Sequence, residues 1–192
     1  MTPTGIILGY HGCEAGLARR VVLRETTLRP SANGYDWLGQ GVYFWAHDPV
    51  RAQEWTEKQR KQGHEVAVIG AVIDLGRCLN LAERHAVEQV KEAYLSMREG
   101  FQTLGRLRDM PVNRGVRRML DNRVLEALHD LRNERGLAPY DTVIGYFGEG
   151  PPIYDGEELR LQDHLQICVR TQASVLGCFL ADPVGTPADA LG

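Results

Sequence analysis

Eleven residues, GQGVYFWAHDP from Gly39 to Pro49, constrain this chain's fold more than any other stretch. Two glycines bracket Gln40, the apolar run Val42-Tyr43-Phe44-Trp45 follows, and Asp48-Pro49 opens a helix. Asp serves there as N-cap, and Pro takes the first helical position, where its missing N–H costs nothing. Loop, strand and helix thus succeed one another within a few residues. Strand alternation puts Tyr43 and Trp45 on one face and Phe44 on the other. In a chain that is only 7% aromatic, three consecutive rings beside a Gly-x-Gly exceed what a core strand needs, and one is expected to border a cleft. Tyr43 reads either as a core tyrosine or as a platform for a planar ligand.

The other elements follow from periodicity. Ile6–Tyr10 is a short buried strand ended by His11-Gly12, and Ala15–Leu23 a short helix. Ser31–Gly41 has the Gly, Asn and Asp content of a loop. The helix begun at Pro49 carries Val50, Ala52 and Trp55 and stops near Gly63. Glu65–Leu75 (EVAVIGAVIDL) is β-branched enough for a central strand. Apolar residues at helical spacing mark a helix over Ala82–Met97 and another from Asp121, with Gly136 past its end. Thr142–Phe147, Leu165–Val169 and Val175–Leu180 are strands, and the chain from Pro183 onward reads as a frayed tail. Strands without regularly alternating helices predict an α+β fold. We expect one domain over residues 1–182, with a helical block at 82–136 and a flexible tail at 183–192.

Composition narrows the function classes. The chain has 192 residues, 43% hydrophobic and 24% charged, with a net charge of -3 and a pI near 6.1. That balance gives no whole-protein reason for nucleic-acid binding. The N-terminal MTPTGIILGYHG lacks a basic n-region, and no apolar run approaches a membrane span, so a cytoplasmic protein without membrane contact is expected. Cys13, Cys78, Cys168 and Cys178 show no metal-ligand spacing, which predicts reduced thiols and no metal. P-loop, GxGxxG, HExxH and GxSxG patterns are missing.

Some residues carry two readings. His11 is either a strand-end histidine bonded to a loop carbonyl or a ligand contact beside the permissive Gly12. Trp55 is by default a core residue, but two turns into its helix it can return towards Tyr43. His164 and Gln166 share one face of an otherwise apolar strand, which means a sheet edge or a site wall. Seven arginines between Arg98 and Arg123 face only Glu99, Asp109 and Asp121. Such a run is either a solvated helical face or the footprint of a phosphate-rich partner.

Tyr10-His11-Gly12, then Gly39-Gln40-Gly41-Val42-Tyr43-Phe44, then His164-Leu165-Gln166-Ile167-Cys168-Val169 resemble, in order and spacing, the three signature strands of ADP-ribosyltransferases. The likeness is to the diphtheria-toxin/PARP-like branch, whose triad is His, Tyr and usually Glu. It implies two packed, mainly antiparallel sheets forming an NAD cleft. By the same resemblance Tyr43 stacks on the nicotinamide ring, with Trp55 as second aromatic, and Gly41 allows the close approach. His11 bonds a ribose hydroxyl, and Gly12 holds the carboxamide through its backbone. Gln166 stands where the glutamate is expected, and His164 is a candidate general base for the acceptor. Members without the glutamate are mono-transferases or inactive. The resemblance therefore implies NAD+ as co-substrate and a mono-ADP-ribosyltransferase acting on a nucleic-acid or protein acceptor. Small domains of this kind act as toxins or in defence, which adds an antitoxin or inhibitor to the expected partners. Hydrolysis of NAD by water and non-catalytic binding of NAD or ADP-ribose are the alternatives. Gly148–Asp163, with Tyr154 and Glu157, is the expected acceptor-facing loop. The paired His/Arg motifs of tRNA 2′-phosphotransferases are not found.

Overall fold

A computed structural model describes residues 5–156 and 158–182; the expected frayed tail and Glu157 lie outside the described residues. The strands are β1 (Ile6–Glu14), β2 (Val42–Ala46), β3 (Val66–Asp74), β4 (Cys78–Asn80), β5 (Asn113–Arg114), β6 (Arg117–Arg118), β7 (Thr142–Phe147), β8 (His164–Val169) and β9 (Val175–Ala181). The α-helices are α1 (Ala15–Val22), α2 (Pro49–Lys61), α3 (Arg84–Thr103) and α4 (Met119–Glu134). The fold is α+β, as its element order predicts.

Seven strands form one mixed sheet in the order β4-β7-β8-β2-β1-β3-β9, and β5-β6 is a separate two-stranded ribbon. Only β4 and β7 run parallel; the other neighbours are antiparallel. Two packed sheets were expected, and the structure corrects this to one. The reason lies in β2, which pairs with β8 on one side and β1 on the other and so fuses the two halves. The fusion is narrow: β2 meets β8 through four residue pairs but β1 through two, Gly9↔Ala46 and Tyr10↔Trp45.

The first strand is also longer than expected. It runs through His11 and Gly12 to Glu14, because β3 supplies nine consecutive partners. Gly12 is accordingly inside a strand, not at its end. A Cβ there would lie 2.3 Å from the carbonyl oxygen of Ala52 and 2.4 Å from Thr56 Cγ2. The missing side chain thus lets α2 pack directly on β1. Asp48 caps that helix as predicted, accepting from the Arg51 N–H at 2.8 Å.

The β-branched residues fill the core. Phe44, Ile69, Ile73 and Ile167 have no exposed surface and share one cluster with α1 residues Ala18 and Val21. The opposite face of β4, β7 and β8 packs on α3 and α4 through Leu79, Val143, Ala93 and Leu125. Trp45 and Val68 pack with Ala52 of α2 on that same face. A concavity is left over β2 and β8, between α2 and α4. No helix among the described residues is long and apolar enough to cross a membrane.

Candidate functional site

A cavity of about 520 Å³ occupies this concavity, a size typical of small-molecule sites. Tyr43, Trp45 and Gln166 line it from the sheet, Arg51 and Trp55 from α2, Phe147 from the end of β7 and Glu149 from just beyond it. Arg29, Tyr35, Asp36 and Trp37 close the side before β2, and Val116 and Arg117 reach in from the ribbon.

Tyr43 is a fixed wall of this cavity. Its hydroxyl accepts from the Leu38 N–H at 2.9 Å and donates to the Gly39 carbonyl at 2.8 Å, and burial pushes its pKa up. The Gly39–Gly41 turn that presents it is held from α4. Glu126 accepts the Gln40 N–H at 2.7 Å, and Arg170 donates to the Gln40 carbonyl at 2.9 Å and to Glu126 at 2.7 Å. Burial raises the Glu126 carboxyl, but these bonds and the charge of Arg170 bring it below its usual range. Gly39 adopts φ +84°, a left-handed conformation that favours glycine. Gly41 lines the cavity and lies against β8, where a Cβ would sit 2.4 Å from Cys168 Sγ.

Beyond Tyr10 and Trp45 the ladder between β1 and β2 stops. Successive strand residues point their N–H and C=O groups to opposite edges. The Leu8 carbonyl accepts the His47 N–H at 3.0 Å, so the even-numbered residues of β1 turn their backbone towards β2. Gly12 is the first such residue past the end of the pairing; it is buried and does not line the cavity. His11 fills the seam. Its Nδ1 bonds the Tyr43 carbonyl at 2.8 Å, and its ring centroid lies 5.8 Å from that of Phe44. A carbonyl only accepts, so Nδ1 carries the proton and Nε2 is a free acceptor in the neutral ring. Burial lowers the His11 pKa, which favours that neutral form.

Gln166 pairs with Trp45 on one side and Gly145 on the other, so its strand is central and the sheet-edge reading is excluded. It is a wall of the cavity. Its Oε1 accepts from Trp37 Nε1 at 2.5 Å. Trp37 fits there because residue 145 is glycine: a Cβ would lie 2.3 Å from the indole Cη2.

Two expectations fail. His164 is 6% exposed, its Nδ1 bonds the Gln162 carbonyl at 2.7 Å, and its Nε2 is enclosed with no partner among the described residues. It is wedged between Trp45 and Phe147, with centroids 6.3 and 5.5 Å away, and does not open on the cavity. A general base must reach its proton, and in this enclosed position His164 does not. Burial also lowers its pKa. Trp55 is not core, being 62% exposed; it lines the same cavity as Tyr43, and its ring packs on Trp45 at 5.7 Å.

Sequence reasoning missed Trp37, Asp36, Arg51 and Phe147, and held Glu149 and Arg117 only as members of the acceptor-facing loop and the arginine block. Arg51 and Glu149 form an ion pair at 2.5 Å, with the Arg51 guanidinium 5.9 Å from the Trp45 ring centroid. Asp36 accepts from the Ser31 hydroxyl, and burial raises its carboxyl above the usual range. The one local signal was Gly145 inside the strand TVIGYF, since a strand glycine marks close approach. The rest come from loops and a register that no periodicity reveals. Among the described residues no group of three or more His, Cys, Asp or Glu gathers to hold a metal ion. No family model, curated protein or solved structure matches the chain.

Proposed function

We propose that the protein is an NAD-dependent mono-ADP-ribosyltransferase working in this cavity. The observation that carries the reading is the open seam between β1 and β2. It turns the Gly12 N–H and C=O towards β2 just past the last β1–β2 pair, beside a tyrosine locked by two hydrogen bonds; Gly12 itself is buried, and His11 is the residue of this seam that lines the cavity. An N–H and a C=O side by side match a carboxamide, which offers one acceptor and one donor group. With the carboxamide on Gly12, the pyridinium ring lies against Tyr43, and His11 Nε2 accepts from a ribose hydroxyl.

The reaction breaks the C–N bond between nicotinamide and ribose. Nicotinamide leaves with the bonding electrons, the ribose carbon takes on oxocarbenium character, and the acceptor's nucleophilic atom attacks it and releases a proton. Interactions stronger in that cationic state than in bound NAD accelerate the step. Gln166 supplies only a dipole, and Trp37 draws on its carbonyl, so the acceleration is modest. That same Trp37–Gln166 bond favours a second reading, a binding module for NAD or ADP-ribose that performs no transfer.

Nicotinamide release from NAD by the purified protein, alone and with RNA, DNA or cell lysate, tests the proposal, with Tyr43→Ala as control. Release that requires a macromolecule and is lost in the variant supports transfer. Release in buffer alone assigns the reaction to water, and binding without release leaves the non-catalytic module.

A further inference from the structure

We propose that the β5–β6 ribbon and the adjacent Tyr35 loop form a docking surface for single-stranded nucleic acid, which presents the acceptor to the cavity. The acceptor role rests on the transferase reading above; the docking surface does not.

Folding sorts the arginines of the Arg98–Arg123 block into two groups. Arg106, Arg118 and Arg123 pair with Asp109, Asp121 and Asp130 at 2.8, 3.9 and 4.0 Å. Arg98, Arg108, Arg114 and Arg117 have no carboxylate partner among the described residues; of these Arg114 and Arg117 stand on the ribbon, and Arg29, likewise unpaired, lines the cavity. Within the ribbon Arg114 and Arg117 stand directly opposite each other, one of its two residue pairs. Like charges in that position repel, and no described carboxylate pairs with either of them. A bound anion would.

The ribbon is fixed in place. Asn113 Oδ1 accepts the Leu120 and Asp121 N–H groups at 2.9 and 3.3 Å, and the Arg118 N–H donates to the Tyr35 carbonyl at 3.2 Å. Arg117 is thereby held 6.0 Å from the Tyr35 ring centroid, and Tyr35 is 46% exposed. Val116, at the ribbon tip, is 70% exposed. Cations for phosphates next to an exposed ring for a base are the elements of single-strand recognition. A duplex keeps its bases stacked and cannot put one on Tyr35, and an acidic protein would use the arginines but not the ring. The net charge of -3 makes this a local feature, not a general affinity for polyanions.

The test is fluorescence anisotropy with the full chain and labelled 12-nucleotide single strands of RNA and DNA, a duplex of the same sequence, and polyglutamate. Single strands of either sugar should bind best. With three phosphate contacts, affinity should fall roughly 20-fold between 50 and 200 mM salt. Arg114→Glu should weaken binding at least tenfold and flatten the salt dependence, while leaving nicotinamide release into water unchanged. Arg98→Glu makes the same charge change on an exposed arginine outside the ribbon and should have little effect. Equal binding by Arg114→Glu and the unaltered protein, equal binding of duplex or polyglutamate, or no binding would each overturn the proposal. Oligonucleotide binding without nicotinamide release under any condition sinks the transferase reading and leaves the docking surface standing. NAD cleavage that depends on a protein acceptor, with no oligonucleotide bound, does the reverse.

Discussion

Replacing Gln166 with glutamate tests the proposed reaction centre directly, and the Trp37 contact sets part of its expected effect. Trp37 Nε1 already donates to Oε1 at 2.5 Å, so a carboxylate at 166 inherits a charged-acceptor hydrogen bond. Such bonds contribute about 1.5–3 kcal/mol against about 1 kcal/mol for a neutral one, which offsets part of the cost of placing a charge in the half-buried wall. Gln166→Glu should therefore fold with stability within about 1–2 kcal/mol of the unaltered protein. Its effect on chemistry is larger. A unit negative charge about 5 Å from a developing positive one contributes about 3 kcal/mol at an effective dielectric constant of about 20. That corresponds to roughly 100-fold in the rate of nicotinamide release. Single-turnover release followed by chromatography, with NAD affinity measured separately by calorimetry, reads the two effects apart. Adding Trp37→Phe should return part of the gain, because the donor that orients the carboxylate is lost. If NAD binds with unchanged affinity and release is no faster, the ribose does not lie beside Gln166 and the assigned reaction centre is wrong.

Other outcomes follow from the same geometry. Tyr43→Phe strands the buried Leu38 N–H and leaves the Gly39 carbonyl only the weak Cys168 thiol donor at 3.7 Å, and urea titration should show a loss of about 1–3 kcal/mol. Gly12→Ala drives a methyl group into the α2 backbone, and a loss of about 3 kcal/mol or failure to fold is expected; normal thermal stability would mean that α2 moves freely off β1. Glu126→Ala leaves Arg170 with a buried charge and frees the Gln40 N–H, costing about 3 kcal/mol and raising KM for NAD as the Tyr43 turn loosens. His129 faces Arg170, Glu126 and Arg132, and burial, reinforced by Arg170, lowers its pKa to about 4. Because the folded value lies below the unfolded 6.5, the stability it confers is complete above that pH and lost as pH falls towards 4. The loss is about 3 kcal/mol, and denaturation of His129→Gln across pH 4–7 should show a correspondingly flatter profile.

Much of the fold was legible because it depends on neighbours in sequence. Asp48-Pro49 sets a helix start whatever surrounds it, and the alternation in Val42–Ala46 put Phe44 in the core and Tyr43 and Trp45 on the other face. The same holds for the strand at Glu65–Leu75 and the helices at 82–97 and from 121, whose observed ends shift by a few residues because helix ends depend on caps and packing. The short β4 and the β5–β6 ribbon were missed, because two or three residues carry no period and are strands only through their partners.

The site divides along the same line. The sequence alone determined which residue types stand at His11, Gly12, Gly41, Tyr43 and Gln166 and that Tyr43 shares a strand face with Trp45; these are properties of composition and local geometry. Only the tertiary structure decided that one sheet replaces two, that the β1–β2 pairing ends before Gly12, and that His164 is sealed between two rings. It alone brought Trp37, 129 residues away in sequence, to the Gln166 carbonyl, and separated the paired arginines from the unpaired ones. Each of these outcomes depends on contacts between distant segments, where register and burial outweigh local preference. A periodicity can place a side chain on a face, but what that face meets is set by the chain that folds back onto it.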